Sequence, residues 1–139
     1  MIAYHYQTDF RLNNPSEYTE WIIKCLANYD CNAGPVEFIF CSDEKLLDIN
    51  RKYLNHDFYT DIITFQYEQA PEISGDIYIS VDRVKENAEA FKESFDRELK
   101  RVMIHGVLHL LGFRDSTKEE KKDMRRREDE LIGMFHVKH

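Results

Sequence analysis

No apolar stretch in this 139-residue chain approaches the ~20 residues needed to cross a bilayer. The opening Met1-Ile2-Ala3-Tyr4-His5 has no charged region ahead of an apolar one. These absences predict a soluble, cytoplasmic protein with no membrane partner. Cysteine is scarce too. Cys25, Cys31 and Cys41 are odd in number and lack Cys-x-x-Cys spacing, which argues against a disulfide framework or a thiolate zinc site. They read as small apolar core residues. The five glycines and three prolines form no linker, and no repeat or low-complexity tract marks a boundary. Positive charge is in deficit, 19 Lys and Arg against 26 Asp and Glu, for a net charge of −7. Such a balance argues against coating nucleic acid through bulk charge but leaves room for a local basic patch.

What is present is a globular mixture, 42% hydrophobic and 32% charged, too apolar for a disordered chain. The length fits one domain, residues 1–139, able to bury a core without staples. Ile2 to Gln7 alternates loosely and predicts a strand. Asn14-Pro15 predicts an N-cap and first turn, followed by Trp21, Ile22, Cys25, Leu26 and Tyr29 at helical spacing. Asn32-Ala33-Gly34-Pro35 reads as the breaker ending that helix, and Val36 to Cys41 as a buried strand. Ser42 predicts a cap for a helix running to about Tyr53. Asp61 to Tyr67 and Gly75 to Val81 are β-branched and aromatic, hence strands joined by a short loop. Three helices follow: Asp82 to Ser94 with Val84, Ala88 and Phe91 on its apolar side, one from about Asp96, and one from a Ser116–Glu119 capping box to about Gly133. The pattern lacks a strict βαβ rhythm. It predicts an α+β fold, a small mixed sheet packed with about five helices.

The chemistry is concentrated in His105-Gly106-Val107-Leu108-His109-Leu110-Leu111-Gly112-Phe113-Arg114-Asp115. Histidines four apart on a helix share a face, so their ring nitrogens can converge on one ion. Glycine at the helix end accepts a left-handed conformation and turns the chain back, which brings Asp115 in as a third ligand. Two imidazoles and one carboxylate leave a position open for water, the pattern of a catalytic zinc site. A histidine pair four apart arises by chance in roughly one such chain in five, but the glycine and the third ligand lower that to on the order of one in a thousand. Metzincin proteases share the spacing, but they carry a general-base glutamate directly after the first histidine. Gly106 stands there, so a zinc metalloprotease is the weaker alternative.

This stretch resembles the YbeY family, bacterial zinc-dependent endoribonucleases of ribosomal RNA maturation, whose signature is His-Gly-x-Leu-His-Leu-x-Gly-Tyr-Asp-His. The departures are Phe113 for tyrosine, Arg114 for aspartate, and Asp115 for the third histidine. Asp115 keeps a ligand at that position but makes the site one unit more negative, with a less acidic bound water. Asn50 to Phe65 is similar to the family's Asn-x-x-Tyr-Arg-Gly-Lys-Asp-x-Pro-Thr-Asp-Val-Leu-Ser-Phe, and Gly75-Asp76-Ile77 to its Gly-Asp-Ile. The family arginine in that segment falls on Leu54, leaving Arg51, Lys52 and His56 as possible substitutes.

The resemblance implies a single-strand-specific, metal-dependent endoribonuclease acting in 16S ribosomal RNA processing and ribosome quality control. It implies one Zn2+ per chain on His105, His109 and Asp115, with RNA and the ribosome or ribosomal proteins as partners. The ligand set also accepts Fe(II), Ni(II) or Mn(II). The competing class is a non-catalytic ribosome assembly or RNA-binding factor with a structural zinc. Cations for RNA are expected from Arg97, Lys100 and Arg101 beside the metal helix, with Arg101, one turn before His105, the best candidate for a phosphate contact. The run Lys118, Lys121, Lys122 and Arg125 to Arg127 is interleaved with acids and reads first as a solvated face. Phe65, Tyr67 and Tyr78 read first as sheet packing and only second as base-stacking platforms. His5 reads as a strand residue, and His136 and His139, in the tail, as poor substitutes for Asp115.

Overall fold

A computed structural model describes residues 1–136. The order is β1 (Ile2–Tyr6), α1 (Pro15–Ala27), β2 (Asn32–Cys41), α2 (Asp43–Tyr53), β3 (Ile62–Glu68), β4 (Glu72–Ser80), α3 (Val81–Phe91), α4 (Phe95–Leu110) and α5 (Lys118–Gly133), then a 3-10 turn, Met134–His136. The strands form one sheet ordered β1-β2-β4-β3. β1, β2 and β4 run parallel, and β3 pairs antiparallel with β4 at the edge. The mixed sheet and five helices are those expected. No helix among the described residues is long and apolar enough to cross a membrane.

Four helices begin on a hydroxyl. Ser42, Ser80, Ser94 and Thr117 accept hydrogen bonds from the backbone N–H of Lys45, Arg83, Arg97 and Glu120. Each such cap contributes ~1 kcal/mol. The capping box is therefore Thr117 with Glu120, one residue later than Ser116 with Glu119. Asn14 does occupy the N-cap of α1, but its backbone is left-handed, φ 56°, and its side chain makes no cap bond. A second correction concerns Asn32 to Pro35, which lie inside β2 rather than in a loop. Ala33 pairs with Ile73 and Val36 with Gly75, so Gly34 and Pro35 together oppose Ser74 in a bulge. Bulges accommodate a proline that cannot donate to the ladder.

The main core lies between one face of the sheet and helices α1, α3, α4 and α5, with Trp21, Phe38, Phe40, Ile77, Met103 and Leu108 fully buried. Trp21 ties α1 to α5 by donating Nε1–H to the Leu131 carbonyl at 2.7 Å. α2 covers the other face through Leu46 and Ile49 against Cys41 and Ile63. Cys25 and Cys41 are buried core residues as expected, and all three thiols are free. Phe65 and Tyr78 pack edge to face on the sheet, while Tyr67 is exposed and donates to Asp76 at 2.8 Å. His5 is a β1 residue paired with Glu37. α3 ends three residues earlier than expected, and Phe91 is exposed rather than apolar-face buried.

Helix α4 positions the chemistry. Leu99, Val102, Met103, Ile104, Val107 and Leu108 are buried along it. Gly106 faces the sheet so closely that a Cβ would come within 2.9 Å of both Ile62 Cδ1 and Ile77 Cγ2. This packing pins the helix axis while His105 and His109 lie on its partly exposed side.

Candidate metal centre

The end of α4 turns as the sequence predicts. Gly112 adopts φ 102°, the Phe113 N–H donates to the Leu108 carbonyl at 3.0 Å, and the Gly112 N–H donates to the His109 carbonyl at 2.9 Å. These two bonds form a Schellman closure, which only a residue free of a Cβ adopts without strain. The reversal returns Asp115 to the histidines. One ligand atom each from His105, His109 and Asp115 lies within 4.8 Å of the others, a group that could hold a metal ion. The two Nε2 atoms are 2.9 Å apart, and Asp115 oxygens lie 3.3 Å from His105 Nε2 and 3.7 Å from His109 Nε2. Donors at zinc bond length around a tetrahedral centre are ~3.3 Å apart, so the spacing fits such an ion.

The tautomers favour it as well. His105 Nδ1 meets Glu128 Oε2 at 2.6 Å, and His109 Nδ1 meets the Phe113 carbonyl at 3.0 Å. Both partners accept, so each Nδ1 carries the proton and each Nε2 turns a lone pair toward the other and toward Asp115. Three electron-rich atoms converge on a point that needs positive charge. Burial works against a charged His105, but the hydrogen bond and charge of Glu128, with Asp115 and Asp61, outweigh it and raise the group. His109 is lowered, by burial and then by His105.

Glu128 is the site residue that sequence reasoning misses. It is 4% exposed, and its other oxygen accepts from Arg101 Nη1 at 3.0 Å. A signal existed: Met124, Glu128 and Leu131 are all buried at helical spacing on α5, so a glutamate interrupts an apolar face. Arg101 is 7% exposed, and its guanidinium also reaches Asp129 at 3.2 Å and Glu98 at 3.5 Å. Lys100 is buried and paired with Asp96, with its ammonium over the Phe135 ring, so it does not face the site. Arg97 pairs with Glu93 and Asp129.

Two depressions flank the metal group. One of about 360 Å³ is lined by His105, Asp115, Asp61, Arg101 and Glu128 among others. Burial raises the Asp61 and Glu98 carboxyls in its wall, and Asn87 Nδ2 donates to Asp61 at 3.3 Å. The other, of about 240 Å³, is lined by His109, His56, Phe58, Asn50 and Thr64 among others. His56 stacks on Phe58 with ring centroids 5.1 Å apart. Of the three candidate substitutes for the arginine missing at Leu54, His56 alone lines a depression with a metal-group histidine; Arg51 pairs with Asp57 and Lys52 with Asp48. The tail candidates, the His136 side chain and His139, lie outside the described residues.

A family model described as Endoribonuclease YbeY matches residues 4–136. The chain belongs to the YbeY family. A relative from Flavobacterium psychrophilum is 47% identical over 138 residues, covering 99% of each chain. One from Christiangramia forsetii is 49% identical over 136 residues, 98% of this chain and 95% of its own. Both carry the name Endoribonuclease YbeY. A solution structure of a Thermotoga maritima protein shares the fold of this chain, with a TM-score of 0.66 at 23% identity over 97% of this chain and 89% of that one. Gly106, directly after the first histidine, packs on Ile62 of β3 and Ile77 of β4, where no general-base side chain fits.

Proposed function

We propose that the chain is a zinc-dependent, single-strand-specific endoribonuclease, one domain over residues 1–139, acting in 16S ribosomal RNA processing and ribosome quality control in the cytoplasm. The observation that carries the metal part is the convergence of His105 Nε2, His109 Nε2 and an Asp115 oxygen, with both Nδ1 atoms held by acceptors. The names of its relatives support the endoribonuclease part. RNA is then the substrate, and the ribosome or its proteins are the partners that would present it.

His105, His109 and Asp115 hold the ion. A divalent cation there would supply Lewis-acid charge beside a phosphodiester and would lower the pKa of water. Glu128 and the Phe113 carbonyl keep the imidazole protons on Nδ1 and the rings in place. Arg101 acts through Glu128, which it braces, and has an accessory role. His56, on the opposite flank beside His109, is the accessory residue placed to meet a strand of RNA.

Cleavage of single-stranded RNA by wild type and by His109→Ala, with circular dichroism confirming that the variant folds, tests this reading. Chelator-sensitive cutting by wild type and its loss in the folded variant are expected. RNA binding without metal-dependent cutting by wild type would overturn it in favour of an assembly factor with a structural ion. Casein is expected to remain intact.

A further inference from the structure

Helix α5 carries cations and acids in alternation, and the structure sorts them into two populations. The exposed Arg126 pairs with Asp123 and Glu130, and the half-buried Arg127 pairs with Asp123 and lies over the Phe113 ring. Lys121 and Arg125 differ. They are exposed, one turn apart, and line the larger depression together with His105 and Asp115. Neither has an ion-pair partner among the described residues. The third cation in that wall, Arg101, is enclosed by Glu128, Asp129 and Glu98. Lys118 and Lys122 have no ion-pair partner among the described residues either, but they do not line the depression.

Charge at this mouth matters because the chain is net negative and the wall is acidic. Asp61, Glu98, Asp115 and Glu128 all line the same depression. A phosphodiester approaching the metal group meets that field before it meets the ion. Two unpaired cations at the entrance offset it locally, which the total charge of −7 does not reveal.

We infer that Lys121 and Arg125 form a phosphate subsite that binds the RNA backbone next to the phosphodiester at the metal group. The inference rests on the proposed endoribonuclease reading and adds to it the residues that hold the strand. Contacts of this kind are sequence-independent and salt-dependent, since each neutralised phosphate releases counterions.

The test compares two double variants with equal loss of charge on one helix, Lys121→Ala/Arg125→Ala and Lys118→Ala/Lys122→Ala. All four positions are exposed, so both variants keep the wild-type fold by circular dichroism. The dissociation constant of a short, labelled, 2′-O-methylated single strand for the zinc-loaded protein is measured by anisotropy across a salt series. Kinetics on the unmodified strand run in parallel. The cavity pair is expected to weaken binding about ten-fold and lower the salt slope by about 0.7 to 1.4. KM should rise more than kcat falls. The outer pair should change affinity by less than about three-fold. If wild type binds and cuts RNA but the two variants are equally impaired, the subsite is wrong and the endoribonuclease reading stands. If wild type neither binds nor cuts RNA, both fall.

Discussion

On the α5 flank of the metal group, Glu128 and Arg101 are buried, paired with each other, and joined to His105 through a 2.6 Å hydrogen bond. On the β3 flank, beside His109, His56 and Phe58 are exposed and stacked on one another, and His109 Nδ1 is held by the backbone carbonyl of Phe113 rather than by a charged side chain. One flank therefore fixes the position of His105, while the other leaves polar and aromatic surface open. The cost of disturbing each should differ accordingly. A buried ion pair broken on one side leaves an uncompensated charge, whereas an exposed ring lost from a loop leaves only solvent.

The largest contrast is expected from Glu128→Ala, which removes the nearest of the three acids around Arg101 and the Nδ1 partner of His105 and should lower stability by about 1–3 kcal/mol in urea unfolding. A variant as stable as wild type would erase the distinction between the flanks. Glu128→Gln sharpens it by keeping the shape and removing the charge. Zinc affinity, read by competition with a chromophoric chelator, should fall about 10- to 100-fold, as for other residues that orient metal-bound imidazoles. Asp61→Asn probes the same wall through pH. Burial raises the folded pKa of Asp61 above its unfolded value of ~3.9, so the folded chain binds that proton more tightly. Its stabilising contribution is full below the unfolded value and is lost as pH rises through the folded one. The metal-free Asn variant should therefore be more stable than wild type at neutral pH and match it below about pH 4. His56→Ala should be the smallest, within about 0.5 kcal/mol of wild type in stability, while weakening RNA binding.

The candidate metal group is legible in the sequence because its geometry is local. His105 and His109 are a turn apart on one helix, and Gly112 supplies the reversal that delivers Asp115. The partners of those side chains are not local. Glu128 stands 23 residues beyond His105 on another helix, and only the packing of α5 on α4 brings the two together. Arg101 shares a helix face with His105, as its spacing requires, but the acids that surround it come from α5 as well as α4. The same tertiary origin separates Lys121 and Arg125 from the paired cations around them. In the fold, serine, threonine and β-branched residues mark the helix starts and strands well. Gly34-Pro35 misleads as a breaker because a bulge, invisible to local pattern, lets β2 continue through it.

Metal stoichiometry tests the account most directly. Elemental analysis of protein purified without added metal, then titrated with zinc, is predicted to give one tightly bound ion per chain in wild type. Folded His105→Ala and Asp115→Ala variants should bind it far more weakly. Undiminished zinc binding in both variants, or none in wild type, would contradict a centre built on these side chains.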